Sequence, residues 1–88
     1  MNDAKPNILE AALSVTQGDR ATDYGHPIEN WGRTVDIFNA MTGHNLTPAE
    51  GVKFAIAMKL ARLYKTPTHI DSMVDLAGYA WVLSEVAQ

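Results

Sequence analysis

Two stretches near the end of the chain, FAIAMKLARLY (54–64) and MVDLAGYAWVL (73–83), are apolar almost all the way round a helical wheel. Helices of that kind leave no face for water and belong in an interior. A chain of 88 residues makes one domain at most and buries only about two thirds of the surface its unfolded form exposes. Such a domain has little interior in which to hide two greasy helices. Disulfides cannot make up the difference, because there is no cysteine, and thiolate zinc sites are excluded with them. A second copy of the chain is the simplest cover, so homo-oligomerisation is expected.

The punctuation marks four helices. The first is expected from about Asn7 to Thr16, with Ile8, Leu9, Ala12, Leu13 and Val15 as its apolar stripe before Gly18. The second opens at Pro27, a residue suited to a first helical position because no amide is lost there. Its stripe is Ile28, Trp31, Val35, Phe38 and Met41, at helical spacings, and Gly43 ends it. In LTPAEG, Thr47 is the expected cap, Pro48 the first helical residue and Glu50 the partner of a capping box. That third helix stops before Thr66-Pro67. PTHID repeats the device, with Thr68 as expected cap and Asp71 three residues on. No strand-like alternation is present. The expected fold is all-α, a compact four-helix bundle completed by a partner copy, with a flexible N-terminus (1–6) and a single helical domain (7–88).

The formal net charge is −3 and the pI about 5.4, with seven Lys and Arg spread along the chain. No basic run or basic helix face is visible, which argues against a nucleic-acid partner. No segment reaches the ~18 consecutive apolar residues of a membrane span, and the start does not read as a secretory signal. A cytoplasmic protein with no membrane partner is expected.

The charges retained on the apolar helices carry the chemistry. Lys59 and Arg62 lie three apart on the third helix, and Asp71 and Asp75 four apart on the fourth, each pair sharing a face. The short connection KTPT (65–68) makes these helices antiparallel neighbours. Burying an unpaired charge costs several kcal/mol, so these groups are expected either in bridges, Arg62 to Asp71 or Lys59 to Asp75, or around a polar pocket. Gly78, next along the Asp75 face, suits close approach of a helix or a ligand. The stretch ATDYGHPIENW (21–31) adds Tyr24 as a ring to lie against a base. Arg20 and Asp23 read either as loop charges or as phosphate and ribose contacts. Gly25 is expected in a left-handed turn, and His26 at the helix cap rather than in metal or catalytic work. Glu29, Arg33 and Asp36 form a polar row, and Trp31 reads as core. His44 and His69 have no partner at zinc-ligand spacing.

GDRATDYGHPIENWGR and AMKLARLYKTPTHIDSMVDLAGYA, within a span from about Thr16 to Tyr79, resemble a family of small, functionally uncharacterised helical proteins of phages and prophages. More distantly, the chain is similar to the MazG-like all-α nucleoside triphosphate pyrophosphatases and to phage nucleotide-modification-associated helical domains. The pyrophosphatases are oligomeric bundles that hold magnesium through an E-x-x-E motif on one helix and an E-x-x-D motif on another. Glu29 matches the first acid of the first motif, with Gly32 where its second would stand. Asp75 matches the closing acid of the second, with Ser72 three before it and Asp71 one step off. The resemblance implies that Lys59 and Arg62 contact phosphates and that Glu29, Asp71 and Asp75 could hold a Mg2+ ion.

Three functions are therefore expected in competition. The first is a binding protein for a nucleotide or phosphorylated small molecule, plausible for a phage protein that sequesters a nucleotide, a host defence signal among the candidates, in the host cytoplasm without turnover. Its ligand set would be Arg20, Tyr24, Glu29, Arg33, Lys59, Arg62, Asp71 and Asp75. The alternative is a Mg2+-dependent nucleoside triphosphate pyrophosphohydrolase using Glu29 and Asp75. The third is a helical protein–protein adaptor.

Overall fold

Four capped helices make up the computed structural model, which describes residues 7–18 and 25–87. They are α1 (Ile8–Gln17), α2 (Pro27–Thr42), α3 (Pro48–Lys65) and α4 (Ile70–Val86), and no strand occurs among the described residues. The all-α expectation holds. The expectations for residues 1–6 and for Arg20, Asp23 and Tyr24 lie outside the described residues.

Local chemistry explains each start. Asn7 caps α1 by accepting from the Glu10 amide at 3.1 Å. Thr47 and Glu50 form the full capping box on α3, with Pro48 at its first position. His26 caps α2, its Nδ1 accepting from the Ile28 amide at 3.2 Å. At α4 the cap is His69, one residue later than the expected Thr68. The His69 ring reaches both the amide and the hydroxyl of Ser72, at 3.3 and 2.7 Å, and Ser72 is almost wholly buried. Asp71 therefore falls in the first turn without a capping bond. There its charge still meets the positive end of the helix dipole.

Between α2 and α3 the chain turns at Gly43, whose φ of 76° is left-handed and favours glycine. Asn39 ties the turn down at two points. Its Nδ2 donates to the Leu46 carbonyl at 3.1 Å, and its Oδ1 accepts from the Leu46 amide at 2.9 Å.

α4 is the hub, packing on α1, α2 and α3. Around Val52, Val82 and Val86 gather Trp31, Ile56, Tyr79, Trp81 and Leu83. Two glycines set how closely the helices meet. A Cβ on Gly51 would lie 2.6 Å from Val35 Cγ1 and 3.4 Å from the Trp31 ring, and one on Gly78 would lie 3.0 Å from Thr16 Cγ2. Gly78 thus admits α1 against α4.

The interior is thin: among the described residues no fully buried hydrophobic side chain is larger than valine. The expected stripes enter it only in part. On α2, Val35 is buried and Trp31 half-buried, whereas Ile28, Phe38 and Met41 are exposed. Leu9 and Leu13 of α1 are exposed as well. Of the two greasy helices, α4 leaves no large hydrophobic side chain exposed within the single chain. α3 shows Phe54, Met58, Leu60 and Tyr64 to solvent, because its neighbours α2 and α4 cover only one side of it.

Candidate functional site

A cleft of about 470 Å³ opens where the start of α2 and the end of α1 lean over α3 and α4. Gly25 and Pro27 stand on one edge, Val15 and Thr16 on another, and Lys59 and Asp75 are part of the lining. Trp31, Tyr79 and Trp81 line it as well. Trp31 and Tyr79 meet edge to face, with centroids 6.1 Å apart at 79°, a favoured geometry that holds both rings in place.

Lys59 and Asp75 are the charged residues of the lining, beside the polar Thr16 and Asn30. Nζ lies 2.9 Å from Oδ2, and each side chain is 29% exposed. This is the second of the two bridges expected. Asp75 takes one of three ammonium donors, and among the described residues no other side chain is bonded to Lys59. The ammonium therefore keeps donors that can turn to a guest without a charge first being stripped of its partner.

At the edge of the cleft His26 is held from both sides. Its Nδ1 accepts from the Ile28 amide, which leaves the proton on Nε2, and that atom lies 3.2 Å from Glu85 Oε1 in the last turn of α4. This contact fastens the start of α2 to the far end of the hub helix. His26 is thus the cap that was expected, with a second partner distant in sequence.

The remaining predicted residues are placed elsewhere. Arg62 is exposed at the α3–α4 corner, its guanidinium 3.4 Å from His69 Nε2. A neutral imidazole has one acceptor nitrogen. Because Nδ1 serves Ser72, Nε2 carries the proton, and the Arg62 contact is proximity rather than a hydrogen bond. The Arg62–Asp71 bridge does not form, and Asp71 is exposed on α4. Glu29 and Arg33 stand on the exposed side of α2, out of ion-pair contact with each other. Of the set expected to converge, the cleft brings together Lys59 and Asp75.

The carboxylates do not fit a metal. Among the described residues no three His, Asp or Glu side chains gather closely enough to hold an ion, and Asp75 is already turned to Lys59. Glu29, Asp71 and Asp75 therefore do not make the magnesium site that the pyrophosphatase resemblance implied. Asn30, Thr16 and Trp81 line the cleft without having been expected there, and Trp31, expected in the core, lines it too. No local signal marks them: Thr16 and Asn30 are uncharged polar residues on α1 and α2, and Trp31 and Trp81 sit in an apolar stripe and an apolar run that read as core.

Comparison with known proteins gives the relationship. Residues 7–87 match the family model described as a domain of unknown function, DUF6378. The chain belongs to the DUF6378 family. The DUF6378 chain is 37% identical over 81 residues to the Gene 55 protein of Mycobacterium phage L5, covering 91% of this chain and 52% of that protein. It is 34% identical over 80 residues to the Gene 55 protein of Mycobacterium phage D29, covering 91% of this chain and 53% of the relative. The DUF6378 chain thus spans about half the length of the curated relatives it matches. No solved structure matches it. The expected kinship with phage proteins is borne out. No helix among its described residues is long and apolar enough to cross a membrane.

Proposed function

We propose that this DUF6378 protein binds a nucleotide-like or phosphorylated small molecule in the cleft lined from all four helices and does not turn it over. One observation carries the reading: a half-buried lysine–aspartate pair lines an open cleft that aromatic rings also line. A cleft of this volume falls in the ~300–1,000 Å³ range of small-molecule sites. Lys59 would face the anionic group, and Asp75 would accept from a sugar hydroxyl or a base amine. Trp31, Tyr79 and Trp81 would cover the flat part of the guest. The scattered carboxylates favour holding over hydrolysis, because cleavage of a pyrophosphate by a metal needs several acids at one point. In the setting of its phage relatives, such a protein would withdraw a nucleotide, including a signal of host defence, from the host cytoplasm.

The test is a thermal-shift panel of nucleotides, cyclic nucleotides and nucleoside diphosphate sugars, paired with mass spectrometry of small molecules released from the native protein by denaturation. A ligand recovered intact, together with a Tm rise that Lys59→Ala reduces while helicity is kept, supports the proposal. Release of pyrophosphate on incubation with a nucleoside triphosphate and Mg2+ would replace binding with hydrolysis. A flat response to the whole panel would leave the adaptor reading in its place.

A further inference from the structure

The two sides of α3 are of opposite use. Lys59 looks into the cleft, while Phe54, Ala57, Ala61 and Tyr64 on the far side are all exposed. These four are spaced three, four and three residues apart, the 3-4 rhythm of a seam between two packed helices. Their flanks carry Met58 and Leu60. The small side chains in the middle of the row let a second helix axis come close, while Phe54 and Tyr64 stand proud of it.

We propose that this face of α3 is where a second copy of the chain docks, antiparallel, through an isologous contact. The first support is area. Phe54, Met58, Leu60 and Tyr64 are 65%, 58%, 55% and 92% exposed. At about 150–250 Å² for a large ring and somewhat less for the aliphatic chains, they leave roughly 500 Å² of apolar surface on one helix. Covered on both copies, this amounts to about 1,000 Å², the size at which a specific interface begins. The second support is self-complementarity, which a two-fold contact demands. An antiparallel pairing centred between Ala57 and Met58 sets the Phe54 ring of each copy over Ala61 of the other, large against small. The same register brings Glu50 of each copy towards Lys65 of the other, and both residues are exposed at opposite ends of α3. A parallel pairing would set Lys53 on Lys53 and Lys65 on Lys65. The helix dipoles oppose one another in the antiparallel arrangement, which favours it further. The docked copy covers the side of α3 away from Lys59, so the cleft stays open and the proposal stands independently of the ligand.

The whole chain can be tested by sedimentation equilibrium from micromolar to several hundred micromolar protein, with two kinds of variant. The chain has no cysteine, so Ala57→Cys introduces a single thiol at the expected two-fold axis. Ala40→Cys, at an exposed position of α2, makes the same substitution away from it and is the control. The expected results are a doubled mass at the upper concentrations and a disulfide-linked dimer with Ala57→Cys but not Ala40→Cys under mild oxidation. Ala61→Arg should weaken association by about tenfold or more at unchanged helicity. A monomer throughout, equal cross-linking at the two thiols, or a dimer indifferent to Ala61→Arg in a folded variant would overturn the proposal. Should Ala61→Arg fail to fold, the cross-linking comparison still decides.

Discussion

Replacing Gly32 and Gly51 by alanine, one at a time, should move stability in opposite directions. Both glycines lie within helices, where alanine is preferred by about 1 kcal/mol. At Gly32 an added Cβ meets nothing within 4 Å, so Gly32→Ala should stabilise by most of that amount, about 0.5–1 kcal/mol. At Gly51 the same atom arrives 2.6 Å from Val35 Cγ1, roughly 1 Å inside the 3.5–4.0 Å of a good carbon–carbon contact. Val35 is 3% exposed and stiff about χ1, so it yields little. The Trp31 ring, at 3.4 Å, blocks a sideways slide of α2. Overpacking of this kind costs about 1–3 kcal/mol, which offsets the propensity gain and leaves Gly51→Ala destabilised by roughly 0–2 kcal/mol. The separation between the variants is then about 1–3 kcal/mol. One kcal/mol moves Tm by about 4–8 °C in a domain of this size, so calorimetry or urea titration at a single protein concentration resolves it. The fixed concentration matters because association would otherwise shift Tm by mass action. A Gly51→Ala protein stabilised as much as Gly32→Ala would refute the close α2–α3 crossing, and with it the position of Trp31 in the cleft.

Two further stability outcomes follow from the same packing. Lys59→Met and Asp75→Leu should each cost about 1–3 kcal/mol, since each leaves a half-buried charge without its partner, while the double variant recovers much of the loss; simple additivity in urea melts would show that the pair is not coupled. Asn39→Ala removes both ties to Leu46 and should cost about 1–2 kcal/mol, with faster amide exchange at Leu46 as the local sign; unchanged exchange there would count against the tied turn.

What could be read in advance was local chemistry. Asn7, Thr47 with Glu50, Pro27, Pro48 and Gly43 act on backbone groups within a turn of themselves, so the four helices and their limits follow from residues a few positions apart. The cap of α4 falls one residue later than its threonine suggests, because a histidine can cap as well when a buried serine receives its ring. The Lys59–Asp75 bridge was among the expected pairs, since a four-residue connection forces α3 and α4 to run antiparallel. Its companion Arg62–Asp71 failed because both groups are exposed at the open corner of the hairpin, where water competes for them.

Alone, then, the amino-acid order determined that this chain is helical, where its helices begin and end to within a residue or so, and that a lysine and an aspartate on greasy helices would need either each other or a polar pocket. Only the folded arrangement decided which side of α3 looks into a cleft and which is left bare, and which rings of α4 become a lining rather than a core. The reason is that a helix apolar on every side holds no record of its own orientation. Its rotation is settled by contacts between distant segments, here the approach of Val35 and Trp31 to Gly51 and of Thr16 to Gly78.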